Sequence, residues 1–499
     1  MTTLTPSPLL IALMQSAASL PTLLLGLPAG ATADIFDRRR LLIFWQSWML
    51  AAVAILSVLT FTGAITPWGL LGLTAVLNIG SAMNGPAWQA IVPELVPRED
   101  LPDAISINSA GFNLARALGP ALGGLMIAAF ISAHKGAAAV FGVNALSFVG
   151  VIIVLYRWKR TPLFKSALPA ERLFGSMRAG MRYVSHAPML KATLGRAFSF
   201  TVFVSAIWAL LAVVAQRDLH SGAMGYGILN GSMGIGAVAG AVMLPRMRRK
   251  FSPDTIVSFT PLAFVVTLLV MALAHQTPVV VLALMFAGFA WTCSMATFNT
   301  CVQLSVPGWV QARALGVYQM VFQGGMALGS AGWGFLAEHS SPKVSLLASA
   351  AGLVLSQPFV RRLHLLKGAP PDLSPHAGGS RALPELTVHP EPDNGPVLIT
   401  IDYRVSSASH PEFISAIHQL SHVRLRDGAI RWGIFQNAAD PDHFTETFVV
   451  ESWLEYLRQR ERLTESDKNL RDRVQSFHEG PDPPSPHRMI YAQEINPTH

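Results

Sequence analysis

The sequence predicts a polytopic helical membrane protein built from two homologous halves and followed by a small α+β domain. Only 13% of its 499 residues are charged, whereas ordinary soluble domains contain roughly 25%. Residues 41–93 and 255–312 contain no Asp, Glu, Lys or Arg. Each stretch can hold two membrane spans, because one span needs roughly 20 apolar residues. A constant offset of 210 residues aligns segments of the first half with segments of the second.

Apolar segments separated by short polar loops predict eleven spans, and this pattern argues against a large soluble protein with buried helices. The predicted spans are 8–29, 41–62, 67–90, 104–131, 137–156, 197–216, 224–245, 254–274, 278–302, 313–336 and 343–360.

Lys and Arg residues are concentrated in alternate loops. One set of loops, from 37–40 to 361–367, contains 21 of them, and the other set contains three. Basic loops face the cytoplasm in membrane proteins, so the central loop and the C-terminal tail are expected there. The same distribution accounts for the net charge of +8 without a nucleic-acid partner.

The repeat is clearest where GLPAGATADIFDRRR (26–40) aligns with GAVAGAVMLPRMRRK (236–250). The same offset places ALGPALGG (117–124) on ALGSAGWG (327–334). Repeated halves are typical of secondary transporters, whose substrate path lies between them. One span precedes the first copy and two precede the second copy within its half. We therefore expect either a true eleven-span protein or a misplaced gene start with a first helix missing upstream.

These patterns divide the chain into an N-terminal half (1–160), a cytoplasmic central loop (161–196), a C-terminal half (197–366), a Pro- and Gly-rich linker (367–396) and a soluble domain (397–493). In the last segment, VLITIDYRV predicts a strand and 410–425 a helix. IRWGIFQNA and HFTETFVVESW predict two strands, 452–477 one charged helix, and HRMIYAQ a last strand. The order βαββαβ is that of a ferredoxin-like domain.

The stretch GATADIFDRRR (30–40) contains the first charges of the chain. Gly30 allows close helix approach, and the Asp34 carboxylate could pair with an arginine or lie against a helix N-terminus. With Arg38 and Arg39 it would form a latch that breaks when the halves move. A plain orientation signal with a solvated acid is the alternative, and recurrence of the loop in the second half favours the latch.

Span 104–131 contains the motif NLARALGPALGG (113–124). Gly119, Pro120, Gly123 and Gly124 predict a pliant helix with a flat face for close packing. Ordinary glycine-driven packing explains the same residues.

Arg116 is the one Lys, Arg, Asp or Glu deep inside a predicted span. A central charge costs roughly 2.5–3.5 kcal/mol on insertion scales, so it should face a cavity or a partner. It could bind an anionic substrate or maintain the electrostatic field of the cavity, or it could be a structural residue bonded to carbonyl groups or to Asn113. Uncharged polar residues that could line the same path, or instead form helix–helix hydrogen bonds, are Asn78, Asn84, Gln89, Asn108, Asn144, Asn299, Gln303 and Gln323.

The chain offers little sign of enzyme chemistry. Cys293 and Cys301 lie eight residues apart on one predicted span, too far apart along a helix for a disulfide. His418 and His422 have helical metal spacing, but no third ligand is evident. We expect no catalytic residue, no metal and no cofactor, and the chain has no phosphate-binding Gly-x-x-x-x-Gly-Lys-Ser/Thr motif that would indicate ATP drive.

GATADIFDRRR resembles the signature loop of the major facilitator superfamily, and 113–124 resembles the motif of its exporters and antiporters. Residues 86–124 are similar to the bacterial transmembrane secretion effector branch, which includes enterobactin-type siderophore exporters. The tail, with residues 426–464, resembles small antibiotic-biosynthesis monooxygenase-type domains. These resemblances imply a bacterial plasma membrane location, an acid that stabilises the outward-open state, and a tail that pairs as a dimer.

The sequence therefore predicts a secondary active exporter of a small organic molecule, such as a siderophore, drug or metabolite. It would work by alternating access and proton antiport. Two alternatives stay open. One is a membrane-tethered ligand sensor or oxygenase-like protein that acts through the tail, and the other is a relic without transport activity.

Overall fold

The computed structural model describes residues 8–96, 132–158, 173–219, 222–365 and 390–492, together with 372–374, 376 and isolated positions between 104 and 130. Ten of the eleven predicted spans coincide with described helices, and the predicted span 104–131 lies largely outside the described residues. The helices that the described residues form up to residue 365 are α1 (Pro8–Ile35), α2 (Arg38–Phe61), α3 (Pro67–Leu95), α4 (Ala133–Arg157), α5 (Leu173–His186), α6 (Pro188–Val213), α7 (Gly222–Lys250), α8 (Pro253–Leu273), α9 (Thr277–Leu304), α10 (Gln311–His339) and α11 (Pro342–Val360).

The apolar helices have the dimensions of membrane spans. Among the described residues, seven are long and apolar enough to cross a bilayer. Large apolar side chains such as Val154, Leu355 and Phe359 lie exposed on their outer faces. In a bilayer these side chains contact lipid, so their exposure is consistent with a membrane protein.

The sequence repeat is also a structural repeat. Helices α1, α2 and α3 correspond to α7, α8 and α9, and α3 begins at Pro67 while α9 begins at Thr277, the predicted offset. Helix α1 packs against α3 of its own half and against α10 of the other half. The two pseudo-repeated halves expected from the sequence are therefore visible in the order and packing of the described helices.

Short polar residues determine where several helices begin. The Asp37 side chain accepts a hydrogen bond from the Arg40 backbone N at 2.9 Å and so caps α2. Thr66 caps α3 in the same way through Gly69 N at 3.0 Å. These caps satisfy backbone N–H groups that have no partner within the helix. Gly63, with φ of 72°, makes the sharp turn after α2 that a residue with a side chain would resist.

The C-terminal domain contains the predicted βαββαβ order. Its elements are β1 (Val397–Arg404), α12 (His410–Asp427), β2 (Ala429–Gln436), β3 (His443–Val450), α13 (Trp453–Glu461), α14 (Glu465–Gln475) and β4 (Pro486–Ile490). The four strands form an antiparallel sheet in the order β2-β3-β1-β4, with Thr400 opposite both Thr447 and His487. One face of the sheet packs on a core that includes Ile399, Phe413 and Phe448.

Two elements differ from the sequence analysis. The prediction of a single charged helix over 452–477 is wrong, because one helix ends at Glu461 and a second helix begins at Glu465. Thr464 and Asp467 form a reciprocal capping box there, which stabilises a new helix start. The second difference is α5, which lies inside the predicted central loop. It buries Ala179, Tyr183 and Val184, the spacing of one helix face.

The described chain forms two compact units. The first contains the described residues of Met1–Phe164, Ala192–Gln303 and Gln311–Gly368. The second contains those of Lys165–Lys191, Leu304–Val310 and Ala369–His499. The second unit thus combines the C-terminal domain with α5 and with the segment that joins α9 to α10. The domain boundaries proposed from sequence stay predictions.

Candidate functional site

The last turn of α1 places the Asp34 carboxylate against the first turn of α10. The side chain is 3% exposed. Its Oδ1 accepts hydrogen bonds from Arg38 Nη2 at 3.1 Å and from the Ala312 backbone N at 3.3 Å. Its Oδ2 accepts from Arg313 at two atoms, the backbone N at 3.2 Å and Nε at 2.9 Å. Both partners suggested by the sequence, an arginine and a helix N-terminus, are present at once.

The start of α10 is a suitable place for a buried carboxylate. Helix α10 begins at Gln311, so the N–H groups of Ala312 and Arg313 lack partners within the helix. The positive end of the helix dipole and two guanidinium groups add to the attraction. A buried acid is costly unless it is paired and hydrogen-bonded, and three of the hydrogen bonds that Asp34 accepts exist only while α1 and α10 touch.

Glycines bring these two helices together. A Cβ atom added at Gly30 would lie 2.5 Å from the Ala312 carbonyl oxygen and 2.7 Å from the Arg313 Cα. Gly316 faces the Gly26 carbonyl at similarly close range. The two backbones therefore meet directly, which brings the Asp34 carboxylate within hydrogen-bonding distance of the α10 backbone. This agrees with the close approach expected of Gly30.

Arg38 and Arg39 have different surroundings. Arg38 is buried and also donates to the carbonyl oxygens of Ala33 at 3.1 Å and Ala90 at 2.9 Å, so it connects α1, α2 and α3. Arg39 points elsewhere and donates from Nε to the Leu155 carbonyl oxygen at 2.8 Å, near the end of α4. The structure therefore groups Gly30, Asp34 and Arg38 and places Arg39 at a neighbouring contact. The latch role of the four residues stays a prediction.

Arg313 is the residue that sequence reasoning did not single out. It is buried, and its guanidinium carries the bond to Asp34 from a position 279 residues away. A signal was present, because Arg313 is the one Asp, Glu, Lys or Arg between Asp254 and Glu338. An isolated charge in such a long apolar stretch is a functional-site hypothesis.

A second ion pair, with a buried arginine, lies in the other half. Arg196 of α6 is 1% exposed, and its Nη1 lies 2.5 Å from the Asp254 Oδ1 at the start of α8. Its Nη2 donates to the Ser258 hydroxyl at 2.9 Å. The Asp254 Oδ1 also accepts from the Leu365 backbone N at 3.1 Å, beyond the end of α11. The pair therefore connects three parts of the C-terminal half, and the sequence analysis missed it because both residues stand at span edges.

Some of the uncharged polar residues join the halves. Asn299 on α9 donates to the Gln89 Oε1 on α3 at 3.1 Å and accepts from Gln303. Asn78 instead donates to the Thr74 carbonyl of its own helix. Gln89 and Asn299 thus form a helix–helix hydrogen bond between the halves, in the region where a substrate path would run.

Several predicted site residues cannot be placed. Asn113, Arg116, Pro120 and Gly124 lie outside the described residues. Within the described positions, a Cβ at Gly123 would lie 4.0 Å from Val140 Cγ1, an ordinary contact, and a Cβ at Gly119 would meet no heavy atom within 4 Å. The roles proposed for these residues stay predictions.

The C-terminal domain encloses a polar cluster around Glu446. This side chain is fully buried and accepts from Arg424 Nε at 3.0 Å, Trp432 Nε1 at 3.0 Å and the Tyr403 hydroxyl at 3.2 Å. Burial raises the pKa of the Tyr403 phenol, and the Glu446 carboxylate raises it further. Tyr403 is therefore a neutral donor at physiological pH, and the cluster is internally satisfied.

The histidine pair has no metal-binding neighbourhood in the described part of the chain. The ring of His418 packs edge-on against Trp432, with centroids 5.2 Å apart. No group of three His, Cys, Asp or Glu side chains suited to a metal occurs among the described residues.

Relatives of known type share the transporter part of the chain. A staphyloferrin A transporter from Staphylococcus aureus is 26% identical over 318 residues, covering 62% of this chain and 76% of its own. The multidrug efflux pump Tap of Mycolicibacterium fortuitum is 24% identical over 353 residues, covering 69% and 84%.

The fold is similar to that of solved transporter structures. The fucose:proton symporter FucP of E. coli superimposes with a TM-score of 0.58 at 15% identity, covering 72% of this chain and 91% of the symporter. The family model described as transmembrane secretion effector matches residues 1–496. This match confirms the family expected from residues 86–124. The chain therefore belongs to the transmembrane secretion effector family, and it is a multi-pass transporter of the major facilitator superfamily rather than an enzyme.

Proposed function

We propose that this protein exports a small organic molecule across the bacterial plasma membrane by alternating access. The observation that carries the proposal is the Asp34 carboxylate, which joins α1 of one half to α10 of the other. A transporter of this kind must close each end of its path in turn, and the closure must be reversible. A contact built from one carboxylate and a helix start can break and re-form without disturbing the core of either half.

The sidedness comes from the distribution of charge. Asp34 lies beside the basic loop 37–40, which the excess of Lys and Arg places in the cytoplasm. The Asp34 contact therefore closes the cytoplasmic end and stabilises the outward-open state. Opening toward the cytoplasm separates α1 from α10, exposes the charges of Asp34 and Arg313 to water and admits the substrate. Closing expels this water and directs the substrate outward.

The direction and the substrate class rest on the relatives. One is described as a multidrug efflux pump and another as a staphyloferrin A transporter. We infer outward transport of a compound of that size. Arg116 would face the path if the compound is anionic. Protons are the proposed counter-ion, and Asp34 is the candidate carrier, because among the described spans acidic residues stand only near helix ends.

The test uses everted membrane vesicles, in which export appears as uptake. Vesicles containing the protein should accumulate staphyloferrin A or ethidium when acidified inside, and a protonophore should abolish the accumulation. Asp34→Asn should lower the initial rate at least tenfold. Asp37→Asn is the matched control, because Asn also caps helices well, and it should transport normally. Accumulation that never responds to an imposed proton gradient would show that proton antiport is wrong.

We also propose that the C-terminal domain pairs with a second copy. The sheet face opposite the core presents Leu398 beside Val449 and Met489, and Phe435 is 61% exposed. These apolar side chains form a patch beside polar ones such as Thr400 and Thr447, and an exposed apolar patch is a usual site of association. Detergent-solubilised protein should run as a dimer, and Val449→Lys should convert it to a monomer. A monomeric native protein at micromolar concentration would contradict the proposal.

A further inference from the structure

Two carboxamide side chains meet where the halves of the transporter face each other. Gln89 on α3 and Asn299 on α9 are joined by a hydrogen bond of 3.1 Å, and they stand 210 residues apart in the chain. This separation is the offset of the internal repeat, so the two residues occupy equivalent positions in the two halves. Equivalent positions of two rotationally related halves can touch only beside the rotation axis. Gln89 and Asn299 therefore lie at the pseudo-symmetry axis of the transporter.

The pair lies near one end of the spans. At a rise of about 1.5 Å per residue, Gln89 is roughly 9 Å before the end of α3 at Leu95. Asn299 is at a similar depth before the end of α9 at Leu304. The distribution of Lys and Arg predicts that both ends face the cytoplasm. Because the substrate path of a repeated transporter lies between its halves, the pair is expected just inside the cytoplasmic mouth of that path.

A third carboxamide extends the pair. Gln303, one turn after Asn299 on α9, donates from Nε2 to the Asn299 Oδ1. Gln303 is 9% exposed, and its Oε1 has no hydrogen-bond partner among the described residues. A buried acceptor without a donor is costly. This oxygen is therefore suited to a ligand that supplies an N–H or O–H group.

The adjoining surface of α3 leaves room for such a ligand. Gly85 lies one turn before Gln89 and so on the same face of the helix. A Cβ atom added at Gly85 would meet no heavy atom of the described chain within 4 Å. The close backbone contact found at Gly30 therefore does not extend to this face of α3 within the described residues.

We propose that Gln89 and Asn299 form an entry site that selects the transported compound by hydrogen bonding. The inference rests on the proposed function and names a substrate class for it. In the structure the two amides satisfy each other. When the halves separate at the cytoplasmic end, their mutual bond breaks and each amide needs a new partner. A compound with amide, hydroxyl or carboxylate groups replaces the lost bond, whereas a compound without them leaves the amides unpaired and is rejected.

The first measurement is the Kd of staphyloferrin A for the detergent-solubilised full chain, obtained by isothermal titration calorimetry. This probe is chosen because it carries carboxylate and amide groups. Gln89→Leu and Asn299→Leu remove a carboxamide at similar side-chain volume, so each should raise the Kd at least tenfold. Gln89→Asn keeps a carboxamide on a shorter side chain, and its Kd should lie between those of the native chain and Gln89→Leu.

Asn78→Leu is the matched control. Asn78 is also a carboxamide on α3, but it donates to the Thr74 carbonyl oxygen of its own helix. Its replacement removes the same chemical group without touching the contact between the halves. The Kd of Asn78→Leu should therefore equal that of the native chain.

The second measurement separates ligand binding from closure of the path. Gly85 is changed to Cys in a chain with Cys293→Ser and Cys301→Ser, and its reaction with a membrane-impermeant methanethiosulfonate is timed in everted vesicles. Adding Gln89→Leu or Asn299→Leu removes the mutual bond, so the reaction should become about threefold faster. A faster reaction with an unchanged Kd would make the pair a closing contact only, and it would overturn the entry site.

Equal Kd values in the native chain and both leucine variants also overturn the entry site, as does a native chain that does not bind staphyloferrin A. Export is judged separately, because calorimetry needs no proton gradient. Weaker binding by the leucine variants, without accumulation by vesicles of the native chain, would leave the entry site standing and remove export. Accumulation by vesicles with equal Kd values would leave export standing and remove the entry site.

Discussion

The Arg313 Nε atom lies 2.9 Å from the Asp34 Oδ2 atom, and both side chains are 3% exposed. This bond joins residues 279 positions apart, one in each half of the transporter. The backbone N–H groups of Ala312 and Arg313 bind the same carboxylate. The Asp34 carboxylate therefore binds both the backbone at the start of α10 and the Arg313 side chain. Substitutions can separate the backbone contribution from the side-chain contribution.

The first prediction concerns that separation. Asp34→Ala removes every hydrogen bond to the carboxylate, whereas Arg313→Ala leaves the two backbone donors in place. Transport should therefore fall further in Asp34→Ala than in Arg313→Ala. Transport by Arg313→Lys should be closest to that of the native protein. The lysine ammonium keeps the positive charge, although it lacks the guanidinium geometry. The measurement is the initial rate of uptake in everted vesicles, normalised to protein abundance. Equal loss in both alanine variants would mean that the backbone donors contribute nothing.

The second prediction concerns the glycine contact. Gly30→Ala places a methyl group 2.5 Å from the Ala312 carbonyl oxygen, so α1 and α10 cannot close and transport should fall at least tenfold. Gly72→Ala on α3 is the control, since a Cβ there meets no heavy atom within 4 Å. Both variants should reach the membrane in normal amounts. Normal transport by Gly30→Ala would show that close backbone contact is unnecessary.

The third prediction concerns the Arg196–Asp254 pair. Removing one partner of a fully buried ion pair typically costs about 3–5 kcal/mol, and the cost should be smaller here because the Asp254 side chain is 26% exposed. Arg196→Met should therefore lower the melting temperature of the detergent-solubilised protein, and Arg196→Lys should lower it less. Arg249→Met changes a charge at the exposed end of α7 and should leave the melting temperature unchanged. Equal melting temperatures for Arg196→Met and the native protein would show that the pair is not structural.

The fourth prediction concerns alkaline pH. Burial and Glu446 hold the Tyr403 pKa above its ordinary value of 10.0. Above pH 10 the unfolded phenol therefore loses its proton before the folded one, and the free energy of unfolding falls as pH rises. Unfolding of the C-terminal domain, followed by tryptophan fluorescence, should show this slope. Tyr403→Phe should reduce it, and an identical slope in Tyr403→Phe would assign it to other groups.

The local pattern of the sequence was sufficient for most of the fold. Apolar runs separated by short polar loops predicted ten described helices, because length and composition alone decide whether a segment can span a bilayer. The offset of 210 residues predicted the paired halves, and alternation predicted the sheet of the C-terminal domain. The prediction of one charged helix over 452–477 was wrong, because the capping box at Thr464 is a short polar signal that does not stand out within a continuously polar stretch.

The sequence by itself determined the architecture and singled out Asp34 as a candidate latch residue, because hydropathy, repeats and the first charge after an apolar run are properties of the chain. Only the tertiary structure decided what Asp34 binds. Asp34 binds Arg313, 279 residues away in the chain, and Arg196 pairs with Asp254. Segment 304–310 belongs to the same compact unit as the C-terminal domain. Such pairings depend on which helix ends meet in space, and within long uncharged stretches no local pattern records that choice.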